Sequence, residues 1–302
     1  MNHTAISRIL GMVLLAQVIS GAMPLWGQPS QTGPGRRTKL EQIKNILSTD
    51  TTITLESSQV RLSSFTYPVG DEKVEALLIS PLDSARYPGL LMVPGYLKTA
   101  RDFIPLAVFF AQQGFATLSI SQPGFGRSNG SPDFAGPRSV NAARVGLDSL
   151  RHLPMVDSTR IGALGYSRGA MVVGLLCARS DDIDAAVLGA GIYDLETAYR
   201  ELPMDGIREN IEIETGATPE ALRRRSLIGQ ADSLNCPVLI IHGGNDQNAP
   251  SSQAHMLKAE LDRLGKDYEF KLMGGQGHSL NMEEFRNASL RFLQSHMTIR
   301  SD

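Results

Sequence analysis

The chain has 302 residues, of which 42% are hydrophobic and 20% are charged, and its formal net charge at pH 7 is −2. This near-balance of charge provides no basic surface for a nucleic acid, so we expect no nucleic-acid partner. The length and the hydrophobic fraction suit one α/β domain that carries an insertion. The sequence contains neither a phosphate-binding glycine-rich motif nor a zinc-binding cysteine spacing, which predicts no metal and no other cofactor.

Residues 1–27 have the composition of a secretory signal peptide. Arg8 supplies a positive charge ahead of the apolar residues 9–16. This apolar run is shorter than a bilayer requires, so we expect cleavage and no stable membrane span afterwards, with an uncleaved anchor as the alternative. The sequence therefore predicts an exported protein, periplasmic or secreted, in which residues 28–45 form a flexible tail and residues 46–302 form a single domain.

Hydrophobic patterning predicts two leading strands, over residues 60–67 and 74–80, that are joined by residues 68–71 and run antiparallel. Alternating strands and helices follow. These strands are centred near Leu90, Leu118, Ile161, Val187, Leu239 and Phe270, and the helices lie near residues 103–113, 140–152, 169–179, 252–265 and 283–296. Such alternation gives a mostly parallel, twisted sheet that is covered by helices on both faces.

A Gly-x-Ser-x-Gly pentapeptide occupies residues 165–169. It lies between residues 160–164, an Arg-Ile-Gly-Ala-Leu run that predicts a short buried strand, and the apolar residues 170–178, which predict a helix. A serine in a sharp turn between a strand and a helix presents its hydroxyl to a substrate, and the glycines allow the two elements to approach closely. Ser167 is therefore a candidate nucleophile. The backbone N–H of Arg168, the next residue, is expected to point at the group that the serine hydroxyl attacks.

A serine hydroxyl needs a base to take its proton and an acid to hold that base. The apolar run 238–241 predicts a buried strand, and Asp246 lies in the turn-rich loop after it. His278 follows the next predicted strand, at residues 268–273. Because open α/β sheets build their sites at the carboxyl ends of their strands, we expect Asp246 and His278 to meet Ser167 there.

Three segments together resemble the α/β-hydrolase superfamily: Gly-Tyr-Ser-Arg-Gly at residues 165–169, His-Gly-Gly-Asn-Asp at 242–246, and Gly-His at 277–278. The closer resemblance is to its prolyl-oligopeptidase-like and dienelactone-hydrolase-like branches, over about residues 74–292. It implies an α/β-hydrolase fold in which Ser167 is the nucleophile, His278 is the general base and then the general acid, and Asp246 orients and stabilises the imidazolium.

Asp194 is an alternative to Asp246 as the acid that orients His278. Asp194 follows the predicted strand near Val187, and some members of the superfamily carry the acid one strand earlier. Asp246 is preferred because an Asp-x-x-x-Pro sequence after a strand matches the resemblance. His242 is interpreted as a packed histidine at a strand end. Export would permit a disulfide between Cys177 and Cys236, although free buried thiols are the expectation.

An attacked carbonyl develops negative charge on its oxygen, so two preset N–H donors are needed beside it. The backbone N–H of Arg168 is one. The second is predicted to be the backbone N–H of Tyr96, in the loop after the strand near Leu90, because Gly95 frees the turn to aim it. Pro94 occupies the position where some relatives carry a tyrosine, so we expect no side-chain hydroxyl donor there.

Residues 195–235 lack a core strand and are interpreted as a small cap insertion over the site that sets substrate choice. The sequence predicts an exported serine hydrolase that cleaves a carboxylic ester through an acyl-enzyme, with a small-molecule ester or a short peptide as its substrate. A peptidase or amidase is the alternative within the class, and an acyltransferase would share the acyl-enzyme. A non-catalytic ligand-binding protein on the same fold is the alternative from another class.

Overall fold

The computed structural model describes residues 38–202 and 206–297, which form one nine-stranded sheet with helices on both faces. The strands are β1 (Thr51–Leu55), β2 (Val60–Val69), β3 (Glu72–Pro81), β4 (Tyr87–Val93), β5 (Ala116–Ile120), β6 (Val156–Tyr166), β7 (Ala185–Gly189), β8 (Val238–Gly243) and β9 (Tyr268–Met273). The helices are α1 (Lys39–Ile46), α2 (Ile104–Gln112), α3 (Pro137–Arg151), α4 (Arg168–Cys177), α5 (Leu195–Glu201), α6 (Ile207–Thr215), α7 (Pro219–Arg223), α8 (Ser252–Leu264) and α9 (Met282–His296). The predicted signal peptide lies outside the described residues.

The strand order is β1-β2-β3-β5-β4-β6-β7-β8-β9. The first three strands pair antiparallel, β3 pairs antiparallel with β5, and all later pairs from β5 to β9 are parallel. The predicted mostly parallel sheet with an antiparallel leading pair is therefore confirmed. Every strand from β4 to β9 ends at the same edge, and the loops that leave this edge converge there.

The core consists of two apolar layers, one on each face of the sheet. Side chains alternate between the layers along β4, where Leu91 and Val93 face one layer while Leu90 and Met92 face the other. Helices α3, α4 and α8 cover the first layer, and α1, α2 and α9 cover the second. No described helix is both long enough and apolar enough to cross a membrane.

The predicted flexible tail over residues 28–45 is wrong at its carboxyl end, because α1 begins at Lys39. Thr38 caps this helix by accepting a hydrogen bond at its hydroxyl, and Ile43 and Leu47 are buried against the second core layer. The sequence prediction also began the sheet one strand too late. Strand β1 precedes the predicted pair, and its side chains alternate between buried and exposed, as at Ile53.

The two cysteines are buried free thiols in the same apolar layer, as expected. Cys177 ends α4, and Cys236 lies just before β8. A hydrogen bond with Cys236, together with burial, raises the pKa of the Cys177 thiol well above its ordinary value. The thiol therefore stays protonated and unreactive near neutral pH.

The start of α4 packs closely against β4 at a glycine. A Cβ atom on Gly169 would lie only 1.9 Å from the carbonyl oxygen of Val93, and one on Gly165 would lie 2.2 Å from the carbonyl oxygen of Gly169. Neither position accommodates a side chain, because backbone atoms cannot move aside as a flexible side chain does. These two glycines let the strand turn directly into the helix.

We therefore predict that Gly169→Ala lowers the free energy of unfolding by more than about 2 kcal/mol, because the added methyl group forces α4 away from β4. The matched control is Gly229→Ala, where an added Cβ would meet no atom within 4 Å. The control should change stability by less than about 0.5 kcal/mol. Urea denaturation of both variants measures the difference, and equal midpoints would contradict the close contact.

Candidate active site

Ser167 occupies the turn between β6 and α4 in a strained backbone conformation. Its φ is 56° and its ψ is −123°, a region that residues other than glycine rarely adopt. The conformation is held from both sides, since the backbone N–H of Ser167 donates a 2.7 Å hydrogen bond to the carbonyl of Gly189 and its own carbonyl accepts one from Ala170. Strain that the surroundings maintain in this way is typical of a functional residue.

The structure brings Ser167, His278 and Asp246 together in one hydrogen-bonded chain. The Nε2 atom of His278 lies 2.9 Å from the Ser167 hydroxyl oxygen, and its Nδ1 atom lies 2.8 Å from Oδ2 of Asp246. A carboxylate can only accept, so Nδ1 carries the hydrogen and Nε2 is free to accept the serine proton. The arrangement is that of a nucleophile, a base and the group that orients the base.

Asp246 is buried and is held as an anion by its neighbours. Its Oδ1 atom accepts hydrogen bonds of 2.9 Å from the backbone N–H groups of both Asn248 and Ala249, while Oδ2 faces His278. Burial acts to raise the pKa of this carboxyl, but the hydrogen bonds from His278 and the loop outweigh it and hold the pKa below its ordinary value. The carboxylate therefore remains charged throughout the neutral range.

The rival acid, Asp194, has a different role. Its carboxylate caps α5, with Oδ1 accepting from the backbone N–H groups of Glu196 and Thr197 and Oδ2 accepting from the Thr197 hydroxyl at 2.8 Å. The two ring nitrogens of His278 instead contact Asp246 and Ser167. The geometry thus favours Asp246 as the orienting acid.

His242 is a fully buried histidine at the end of β8, as its position in the sequence indicated. Its Nε2 atom contacts the carbonyl oxygen of Ala249 at 2.7 Å and lies 3.5 Å from Oδ2 of Asp246. Burial lowers the pKa of His242 despite the neighbouring carboxylate, so the ring is neutral and donates to the carbonyl. This bond ties the Asp246 loop to the strand.

The loop after β4 packs directly on the serine. A Cβ atom on Gly95 would lie 3.0 Å from Cβ of Ser167, so only a glycine allows this approach without displacing the serine. The side-chain amide of Gln122, which is buried, donates a 2.7 Å hydrogen bond to the carbonyl of Pro94 and fixes the loop. Tyr96 follows, and both Tyr96 and Arg168 line the cavity at Ser167.

Tyr166 supports the His278 loop, a role that was not predicted from the sequence. The hydroxyl of Tyr166 donates a hydrogen bond to the carbonyl of His278 and accepts one of 3.1 Å from the backbone N–H of Leu280. Burial raises the pKa of this phenol to about 12, so it remains a donor at neutral pH. Tyr166 precedes Ser167 in the turn between β6 and α4, here called the elbow (residues 165–169), and thereby connects the candidate nucleophile to the loop of His278.

Ser167 and His278 open onto a cavity of about 450 Å³. Its walls are mostly apolar and include Phe103, Phe134, Met171, Ile192, Ile207 and Met282. Among the described residues, no aspartate or glutamate lines it. The described part of the chain also contains no cluster of three or more His, Cys, Asp or Glu side chains that could hold a metal ion.

Comparison with known proteins identifies the family. Residues 139–298, just over half of the chain, match the model of the prolyl oligopeptidase family. The chain belongs to the prolyl oligopeptidase family. Residues 43–204 also match the model of FrsA-like esterases. The protein is therefore a serine hydrolase with an α/β-hydrolase fold, and membership of these families allows either an ester or a peptide substrate.

The individual relatives carry the names of two peptidases and an esterase. The chain is 30% identical over 220 residues to the uncharacterized peptidase YtmA of Bacillus subtilis, a match that covers 70% of this chain and 84% of that protein. The acylaminoacyl peptidase of Pyrococcus horikoshii superposes with a TM-score of 0.71 at 19% identity, covering 81% of this chain but only 43% of that one. An acetyl xylan esterase from Paenibacillus sp. R4 superposes with a TM-score of 0.68 at 17% identity, covering 85% and 93%. At these identities the solved structures show the fold alone.

The contacts of the two aspartates yield a direct test. Asp246→Asn should lower kcat for p-nitrophenyl butyrate by about 10⁴-fold, because an amide in that place favours the wrong histidine tautomer. Asp194→Asn should change kcat less than about threefold, because asparagine caps a helix as well as aspartate does. Both variants are compared at pH 7.5 after circular dichroism has verified folding. A larger loss in Asp194→Asn would show that the acid is assigned to the wrong residue.

Proposed function

We propose that this protein is an exported hydrolase that cleaves a carboxylic ester through an acyl-enzyme formed on Ser167. The observation that carries the proposal is the hydrogen-bonded chain from Ser167 through His278 to Asp246, opening onto a largely apolar cavity. Export rests on the sequence of residues 1–27 alone.

The proposed reaction begins when the Ser167 oxygen attacks the ester carbonyl carbon while Nε2 of His278 takes the hydroxyl proton. Asp246 stabilises the imidazolium that forms. The negative charge on the carbonyl oxygen is met by the backbone N–H groups of Tyr96, in the loop after β4, and Arg168, at the start of α4. The histidine then returns the proton to the leaving alcohol, and an acyl group remains on Ser167.

Hydrolysis of the acyl-enzyme repeats these steps with water as the nucleophile. His278 takes a proton from the water, the water oxygen attacks the acyl carbonyl, and the serine leaves with the proton. An acyltransferase would differ only in accepting an alcohol at this step. Product analysis with and without an added alcohol acceptor separates the two, and we expect the free acid to dominate.

Two considerations favour an ester over a peptide. An alcohol leaves more readily than an amine, so an ester makes the smaller demand on the site. An aminopeptidase also needs a carboxylate to bind the protonated amino terminus of its substrate, and no described residue that lines the cavity is acidic. The family assignment makes the protein a serine hydrolase, which disfavours the non-catalytic binding protein that the sequence left open.

A peptidase remains the second candidate, because the relative in Bacillus subtilis carries the name of a peptidase and the matched family is that of prolyl oligopeptidase. The two candidates are separated by substrates that share one acyl group. We expect measurable kcat/KM for p-nitrophenyl butyrate and a value at least about 10³-fold lower for N-butyryl-p-nitroanilide. Comparable values for the two substrates would favour the peptidase.

Replacement of the nucleophile tests the mechanism. Ser167→Ala should lower kcat for p-nitrophenyl butyrate on the order of 10⁶-fold, because the acyl-enzyme cannot form. The fold should persist, since the side chain of Ser167 is not part of either core layer. Steady-state kinetics with a thermal melt as the control make the measurement, and a loss smaller than tenfold in the folded variant would contradict the assignment.

A further inference from the structure

The side chain of Arg168 forms part of the cavity wall beside the serine. Its guanidinium carbon lies 4.3 Å from the ring centroid of Tyr96 and 4.3 Å from that of Phe134, so the cation is stacked against two aromatic rings. Both rings also line the cavity. Because Ser167 lines the same cavity, this cation borders the space that is open to an acyl group attached to the serine.

A carboxylate from the segment of residues 195–235 cancels this charge. Glu214, on α6, accepts hydrogen bonds from both terminal nitrogens of Arg168, at 2.8 and 3.0 Å. The same carboxylate accepts a 2.7 Å hydrogen bond from the backbone N–H of Phe134. The side chains of Arg168 and Glu214 are only 4% and 8% exposed, so water contributes little to screening either charge.

This pairing decides what Arg168 presents to a substrate, while Lys98 also lines the cavity. Burial lowers the pKa of Arg168 and Glu214 opposes that effect, but a guanidinium does not lose its proton in a protein. Its two terminal nitrogens, which form the fork that binds carboxylates in bidentate fashion, are both engaged by Glu214. A substrate carboxylate therefore meets an occupied fork and the negative charge of Glu214 just behind it.

We propose that Glu214 is a specificity-determining residue that restricts the enzyme to esters with an uncharged acyl group. With Glu214 in place, the Arg168 charge is neutralised, and this part of the cavity wall presents the rings of Tyr96 and Phe134 to the acyl chain. Without it, the same arginine becomes a receptor for a carboxylate at the far end of that chain. This inference rests on the proposed ester hydrolysis, and it assigns to α6 a role in substrate selection.

The test compares two esters of equal shape and different charge: mono-p-nitrophenyl glutarate and p-nitrophenyl 5-methylhexanoate, in which an isopropyl group replaces the carboxylate. The wild-type protein should prefer the uncharged ester in kcat/KM by at least about 100-fold. Glu214→Gln should shift this ratio toward the glutarate ester by at least about tenfold, since the freed guanidinium can then pair with the substrate.

Two variants control for effects other than the Arg168 charge. Glu209→Gln removes a negative charge from the exposed face of the same helix, and it should leave the ratio unchanged. Glu214→Asp retains the carboxylate charge, and it should keep the wild-type preference for the uncharged ester even if both rates fall. If Glu214→Gln does not fold, the comparison of the two esters with the wild-type protein still tests the inference.

Several outcomes would overturn the inference. If Glu214→Gln lowers kcat/KM for both esters in the same proportion, the ion pair only fastens α6 to the elbow. If Glu214→Asp moves the ratio as far as Glu214→Gln does, shape rather than charge sets the preference. Equal use of both esters by the wild-type protein would also overturn it. Turnover of neither ester by the wild-type protein would instead overturn the proposed function, and the inference with it.

Discussion

The close contact between the start of α4 and the end of β4 is the constraint on which the candidate site depends. Gly169 lies against the carbonyl of Val93 so tightly that no side chain fits between them, and this contact makes β6 turn into α4 within one residue. Ser167 is that residue, and its positive φ follows from the turn. The loop containing Gly95 packs against the same serine, so that the candidate nucleophile and the proposed N–H donors of Tyr96 and Arg168 depend on the packing at one turn.

Much of this arrangement could be predicted from the sequence, because it depends on short-range patterns. Ser167, Asp246 and His278 each lie within a few residues of a strand end, and the parallel order of β6, β8 and β9 brings such ends to one edge. Helix α1 and strand β1 were missed for the opposite reason. Their apolar residues are few, and their burial depends on a distant partner surface rather than on a strong local period.

The contacts that support the site could not be predicted, because they join residues far apart in sequence. Gln122 holds the carbonyl of Pro94 across 28 positions, and Tyr166 reaches the His278 loop across 112. The ion pair between Arg168 and Glu214 spans 46 positions, and it connects the elbow to α6. The pattern of residues 207–215 favours a helix, but nothing in that pattern indicates which arginine its glutamate meets. The proposed substrate selection therefore depends on a tertiary contact that the motifs do not encode.

The central claim is that Ser167 is an activated nucleophile, and the most direct measurement is covalent labelling with a fluorophosphonate followed by mass mapping of the purified protein. We expect one phosphonate adduct, on the peptide that contains Ser167, and a loss of p-nitrophenyl butyrate turnover in proportion to the labelled fraction. Two results would contradict this role of Ser167. One is a well-folded sample that acquires no adduct, and the other is a sample that loses p-nitrophenyl butyrate turnover through labelling at another serine.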